Sequence, residues 1–128
     1  MTLVLDASAL LAYLQDEPGA DEVYDVLDRA VMSSVNLSEV AVRIGARGID
    51  PGPVLDDVLE FGLDVVDFTF ACSRRVVEVH TAEGRLGARL SLGDRCCLAT
   101  ALNAGLPVLT ADREWLRFED LVPIRLIR

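Results

Sequence analysis

Apolar positions recur along this chain with two spacings, and the alternation between them lays out its elements. Residues 3–5, Leu-Val-Leu, make a short unbroken apolar run of the kind that fills a buried strand. Residues 7–14 follow with Ala7, Leu10, Leu11 and Leu14 on one helical face. Pro18-Gly19 breaks the pattern, and a second helix runs to about residue 29 with Val23, Val26 and Leu27 as its apolar positions. Residues 31–35 read as a second strand. Asn36 is the expected cap of a third helix reaching residue 47, and Gly48 ends it. Pro51 or Pro53 opens a helix to residue 61, with Gly62 behind it. Then come a strand over 63–66, a helix over 69–82 carrying Val76, Val77 and Val79, and a loop over 84–92. A helix over 93–103 is closed by Gly105. A strand over 106–109, a helical turn over 112–115 and a last strand over 124–127 complete the chain. No repeat, low-complexity stretch or linker interrupts it. Strands alternating with helices through short loops predict an α/β fold, with a mostly parallel sheet between helical layers.

The length of 128 residues suits one domain, expected over residues 1–128, with a sizeable core. Hydrophobic residues make up 52% of the chain, slightly above the usual share. A well-filled core accounts for that; so does apolar surface covered by a partner or a second copy, and the apolar first helices suggest a homodimer. The longest uncharged stretch, 96–111, contains Asn103, Gly105 and Pro107 and is too short and broken to span a membrane. The first apolar run has no basic region before it and ends at Asp6, so it is not read as a signal peptide. Cys96 and Cys97 are adjacent and Cys72 stands alone, which suits neither a disulfide framework nor a zinc site. Reduced thiols and a cytoplasmic location are expected.

The formal net charge is −9, which argues against a protein that coats nucleic acid through a broad basic face. It does not exclude a nuclease, because bound metal ions invert the charge of an acidic site. All 12 basic residues are Arg. Most are expected on solvated faces or in ion pairs.

Four carboxylates carry the candidate chemistry: Asp6 in LVLDASAL, Glu39 in SVNLSEV, Asp94 in SLGDR and Asp112 in PVLTADRE. Each sits beside a helix start, and each has a plain explanation as a cap or a capping-box partner. Taken together that account weakens. Asp6 ends a buried apolar strand, where an unpaired charge is costly, and Asp112 is placed in much the same way. Ser, Thr and Asn cap equally well, so capping alone does not call for four acids. In a parallel sheet Asp6 and Asp112 fall at the carboxyl edge, where α/β sheets bind ligands. Several carboxylates at one edge raise each other's pKa, and a hard divalent cation is the ordinary remedy. The pattern points to a Mg²⁺- or Mn²⁺-dependent enzyme. Ser8 and Thr110 are candidates to support Asp6 by hydrogen bonds, although each could equally be a cap. Arg95 and Arg113 each directly follow a motif Asp and are candidates to touch a phosphate. His80 is the single His, too few for a zinc site, and SLGDR is not a phosphate-binding loop.

The segments LVLDASALLAYL, SSVNLSEV, LSLGDRCCLATAL and LPVLTADREW, in this order, resemble a PIN-domain ribonuclease, and more narrowly the VapC-type toxins of bacterial type II toxin–antitoxin systems. The resemblance spans essentially the whole chain, although residues 50–87 carry no motif. It implies a three-layer α/β/α sandwich, Mg²⁺-dependent endoribonuclease activity on an RNA substrate, and inhibition by a cognate antitoxin. The family's acidic site falls on Asp6, Glu39, Asp94 and Asp112. Asp6 and Asp94 would be primary metal ligands. Asp112 would hold a second ion or orient a water-bridged one. Glu39 would be an outer ligand or the acceptor of the water's proton. Receiver domains and haloacid-dehalogenase-like phosphatases share the acidic α/β plan, but both use a Lys, and this chain has none. A catalytically degenerate partner-binding domain remains as a non-enzymatic rival.

Overall fold

The computed structural model describes residues 2–128. Five strands form one sheet: β1 (Leu3–Leu5), β2 (Ala30–Ser33), β3 (Asp64–Val66), β4 (Val108–Thr110) and β5 (Ile124–Leu126). Their order is β3-β2-β1-β4-β5, and every pairing is parallel. The helices are α1 (Ala7–Leu14), α2 (Ala20–Val26), α3 (Ser34–Ala46), α4 (Pro51–Glu60), α5 (Phe70–Leu86) and α6 (Leu92–Ala104), with short 3-10 turns at Leu27–Arg29 and Arg113–Phe118.

The strand alternation sorts the core into two sides. Leu3, Leu5 and Met32 pack with α1–α4 side chains such as Leu10, Val23, Val40 and Val58. Val4, Val31 and Val108 face the other way, onto Val79, Leu98, Trp115 and Phe118. These strands are buried on both faces, which is why they read as continuous apolar runs. The expected three-layer α/β/α sandwich is therefore the fold, and its sheet is wholly parallel.

The strand order also locates a ligand crevice. From β1 the chain winds outward to β2 and β3, then crosses back to place β4 on the other side of β1. The reversal lies between the carboxyl ends of β1 and β4, the usual binding position in such sheets. Asp6 directly follows β1, and Thr110 closes β4.

Several boundaries differ from the sequence expectation, each for a local reason. The third helix is capped by Ser33, not Asn36: the Ser33 hydroxyl accepts from the Asn36 N–H at 3.1 Å, so β2 stops at residue 33 and Asn36 lies inside the helix. The helix expected over 69–82 runs on to Leu86, through Gly84, and the loop expected over 84–92 shrinks accordingly. Gly84 is an ordinary helical residue there. Gly87, in the left-handed region at φ 64°, makes the actual stop. The second helix tightens into a 3-10 turn at Leu27, and β4 starts at Val108, two residues later than expected.

Candidate active site at the sheet switch point

Asp6 is the most constrained of the four acids. It is 4% exposed, and its side chain does not cap α1. Two hydroxyls converge instead on its Oδ2. Ser8 Oγ donates at 2.5 Å and Thr110 Oγ1 at 2.7 Å. The two oxygens are in turn held by the β4 exit, where the backbone N–H of Ala111 donates to Ser8 Oγ and that of Asp112 to Thr110 Oγ1, each at 3.0 Å. Hydrogen bonds to a charged group contribute about 1.5–3 kcal/mol each. They do not win here. Burial outweighs them and leaves the Asp6 carboxyl above its ordinary pKa. Ser8 and Thr110, the candidates to support Asp6, both donate to its carboxylate.

Asp94 lies in the first turn of α6, where the Ser91 hydroxyl accepts from its N–H at 3.2 Å. A helix N-terminus favours a carboxylate, yet the Asp94 pKa is pushed up to about 6. Burial is the largest cause, followed by the negative charges of Asp6 and Glu39. Asp6 and Glu39 thus act on Asp94 through space, although the three come from separate segments.

Glu39 is placed by a route that the sequence reading missed. Asn36 is fully buried and donates from Nδ2 to Glu39 Oε1 at 2.8 Å and to the Gly93 carbonyl at 2.9 Å, while its Oδ1 accepts from Ser33 Oγ at 2.6 Å. One amide therefore ties α3 to the start of α6 and aims the Glu39 carboxylate. Gly93 completes the fit, because a Cβ there would overlap that carboxylate. The capping-box reading of Asn36 and Glu39 falls, but the i, i+3 spacing behind it was a true sign that the two side chains meet.

Asp112 is exposed and caps the following 3-10 turn through the N–H of Glu114 at 3.0 Å. It reaches the Asp6 cluster through its backbone, by way of Thr110. Both Asp112 and Asp94 line a small cleft of about 190 Å³. Among the described residues, no three acidic, His or Cys side chains converge closely enough to form a ready metal cage.

Arg95 does not point to a substrate role. Its Nε and Nη2 donate to Glu83 Oε1 at 2.6 Å and Oε2 at 3.1 Å. Glu83, itself 4% exposed, also accepts from the Leu90 N–H at 2.8 Å. The Arg95 guanidinium, together with that N–H, pushes the Glu83 pKa down to about 2 against the cost of burial. Arg95 is thus a structural bolt between α5 and α6. Glu83 passed unnoticed in the sequence because it lies one residue before a glycine that looked like a helix end. Arg113 is exposed and makes no ion pair among the described residues. Cys97 is buried behind the acids, and burial together with their charges holds its thiol well above the usual range.

A parallel α/β/α sandwich with an acidic crevice at its switch point puts these carboxylates where open α/β sheets bind their ligands. The PIN domain family model matches residues 3–121, and the chain belongs to that family. PIN domains are in general nucleases that use divalent metal ions. No curated protein matches the chain. Solved structures share its fold. A toxin–antitoxin complex from Klebsiella pneumoniae matches with a TM-score of 0.76 at 16% identity, covering 99% of this chain and 98% of that one. DNA-bound VapBC from Salmonella typhimurium gives 0.74 at 21%, covering 100% and 99%. VapBC-1 from nontypeable Haemophilus influenzae gives 0.74 at 18%, covering 99% and 98%. No helix of the described residues is long and apolar enough to cross a membrane.

Proposed function

We infer that this protein is a metal-dependent endoribonuclease, the toxin of a VapC-type toxin–antitoxin pair acting in the cytoplasm. The observation that carries this reading is the negative charge left unpaired at the switch point. Asp6 and Asp94 are both pushed above their ordinary pKa, and among the described residues neither is held in an ion pair. A divalent cation relieves that crowding. The donors are all oxygens, which suits Mg²⁺ or Mn²⁺ rather than zinc. Mg²⁺ keeps several waters and takes one or two carboxylates plus substrate phosphate, so it needs no closed protein cage.

Asp6 and Asp94 are the proposed primary ligands, with Asp112 and Glu39 reaching the ion directly or through water. The bound ion supplies Lewis acidity toward the phosphate and makes a water more acidic. The chain supplies the geometry. Ser8 and Thr110 fix the Asp6 carboxylate. Asn36 fixes Glu39, the proposed acceptor of the attacking water's proton. Arg113 is free to meet a phosphate. A cognate antitoxin would lay an apolar segment in the groove of about 550 Å³ that Tyr13, Leu14, Ile44, Val54 and Phe61 line. A basic side chain reaching Asp6, Glu39, Asp94 and Asp112 would displace the ion. Leu10, Leu11, Val23 and Val26 of the first helices, on which the homodimer expectation rested, are buried in the core, so a homodimer would instead cover Phe70 and Val77, which are exposed on α5.

Calorimetry and an RNA cleavage assay test this together. Wild-type protein is expected to bind Mg²⁺ or Mn²⁺ and to cut RNA internally, with EDTA abolishing cleavage. Asp94→Asn is expected to lose most of both. Equal metal binding and equal cleavage in Asp94→Asn would rule this site out. Expression of the wild type alone is expected to arrest growth. A folded wild type that is harmless at high expression would favour the degenerate partner-binding reading instead.

A further inference from the structure

Helix α5 has an outer face that the fold leaves uncovered. Its inner face packs into the core through Cys72, Val79, Ala82 and Glu83. On the outer side Phe70 and Val77 are 77% and 67% exposed. They stand seven residues apart, close to two full turns, so they lie on one line along the helix. Seven residues further the same line carries Gly84, an exposed helical glycine where a Cβ would meet nothing. Glycine is a poor helix former, and no contact within the chain calls for it there. Ser73 and Thr81 lie between these three, exposed, with their hydroxyls turned back onto the Thr69 and Val77 carbonyls at 3.4 and 2.9 Å. A covering surface would therefore strand neither hydroxyl without a partner. The stripe is symmetric about Val77 in spacing, and its two ends are opposite in shape: a ring at one, no side chain at the other.

We propose that this face binds a second copy of the chain, with the two α5 helices antiparallel about a two-fold axis at Val77. Positions equally far before and after Val77 then fall level with one another. Val77 meets the partner's Val77. Phe70 lies over the partner's Gly84, where the absent side chain leaves room for the ring. Ser73 comes opposite the partner's Thr81. Charge agrees with the same register. Arg74 is exposed and in no ion pair among the described residues. Glu78 lies on the same flank one turn on, bonded within the chain to Arg75 alone. Reversing the helix about Val77 sets Arg74 beside the partner's Glu78, offset by about 3 Å along the axis, and the two-fold makes that pair twice. The partner's His80 is level with Arg74 but on the opposite flank. Arg74, Val77 and Glu78 also line, with Asn103 of α6, a depression of about 520 Å³ that gives the partner's Arg74 room to enter. A ring, a matching gap and two opposite charges, all related by one axis within a single helix, are what a copy of this chain supplies. The proposal stands apart from the ribonuclease reading.

Sedimentation equilibrium of the full chain, in EDTA and without RNA, tests the interface apart from any activity. Wild type is expected to pass from monomer to dimer as concentration rises, with a dissociation constant of roughly micromolar order for so small a contact. Val77→Glu sets two like charges at the axis and is expected to weaken the dimer at least about 100-fold. Gly84→Leu is expected to weaken it roughly ten-fold or more by filling the gap. Its melt at low concentration should be unchanged or higher, because Leu favours a helix, which separates loss of the dimer from loss of the fold. Arg74→Glu should weaken the dimer about two- to five-fold, and adding Glu78→Arg should restore it. Oxidation with copper phenanthroline reads the register. Val77→Cys is expected to give a disulfide-linked dimer. Ser73→Cys alone is not, because its copy lies about 12 Å away along the helix, but a mixture of Ser73→Cys and Thr81→Cys is. A wild type that stays monomeric at about a hundred times micromolar concentration overturns the proposal. So does a dimer that Val77→Glu and Gly84→Leu leave intact, which would place the contact on another face. A monomer whose Val77 becomes protected only in complex with a different protein also overturns it, in favour of that occupant.

Discussion

Asp6 and Glu83 are buried to the same extent, at 4% exposure, and the fold treats them in opposite ways. Glu83 meets a guanidinium fork and a backbone N–H, and its pKa is held down at about 2. Asp6 meets two neutral hydroxyls and the backbone N–H groups of Ser8 and Ala7 but no guanidinium, and its pKa is pushed up. Burial disfavours both charges. Only Glu83 receives a full countercharge from the protein. An acid whose task is to join α5 to α6 is neutralised internally. An acid whose proposed task is to hold a cation is oriented and left uncompensated, so that the compensation comes with the ligand. The contrast separates a buried carboxylate that serves stability from one that costs stability and serves chemistry.

The largest effect expected from breaking this contrast is a crossed pair of substitutions. Asp6→Asn keeps the shape and removes the charge. RNA cleavage is expected to fall by at least about 100-fold, the upper end of the loss seen when only the support of a ligand is removed. Melting in EDTA is expected to be unchanged or higher, because an uncompensated buried charge has gone. Glu83→Gln is expected to do the reverse. It leaves the Arg95 guanidinium without its carboxylate, so Tm should drop by several degrees, while Mg²⁺ affinity changes far less. The measurements are thermal melts and a cleavage time course on both variants. If Asp6→Asn loses as much stability as Glu83→Gln, Asp6 is a structural acid and the comparison collapses.

A smaller effect is expected at Gly93. A Cβ there collides with the Glu39 carboxylate, which is the free end of a flexible side chain and can swing away. Gly93→Ala should therefore fold with near-native stability, since Ala also favours the helix. Displacing Glu39 from Asn36 should nonetheless cost roughly 10–100-fold in metal affinity or cleavage. Calorimetry and a melt on the same sample separate the two. A variant that loses stability and keeps full activity would mean that Glu39 does not work from its observed place.

The sequence and the structure part company along the same line. The sandwich was legible because strands such as Leu3–Leu5 are covered on both faces and read as apolar runs, while α1 repeats its apolar positions at helical spacing. The place of Asp6 was legible for the same reason, since an acid at the end of such a run is unusual. What supports Glu39 was not. Asn36 offered a cap signal that Ser33 in fact supplies, and both are good caps, so only the backbone decides. The 84–92 region misled because Gly84 looked like a stop. The helix continues there since Glu83 is anchored by groups up to 12 residues away, which a local pattern cannot show. Arg95 was misread through the same blind spot. Its neighbour in sequence is Asp94, but its partner in space is Glu83.

The smallest expected effect is the pH dependence of the metal-free protein, where the two kinds of acid have opposite signs. Glu83 ionises at about 2 in the folded state and near 4.5 otherwise, so its contribution is complete above about 4.5 and is lost as pH falls toward 2. Asp94 ionises at about 6 when folded and near 3.8 otherwise, so the folded state holds the extra proton, and stability declines as pH rises from about 3.8 to 6. Asp6, also raised, acts in the same sense as Asp94. Melting temperature in EDTA should therefore climb from pH 2, peak near 4–5 and sag toward neutrality. Asp94→Asn should reduce the neutral-side sag and leave the acid limb alone. Glu83→Gln should flatten the acid limb and keep the sag. Saturating Mg²⁺ should lift Tm chiefly on the neutral side, because an ion that binds the ionised acids of the folded chain stabilises it by mass action only where those acids can ionise. A sag that persists unchanged in both Asp94→Asn and Asp6→Asn would show that the acids at the switch point do not strain one another, and that the unpaired charge on which the nuclease reading depends is not there.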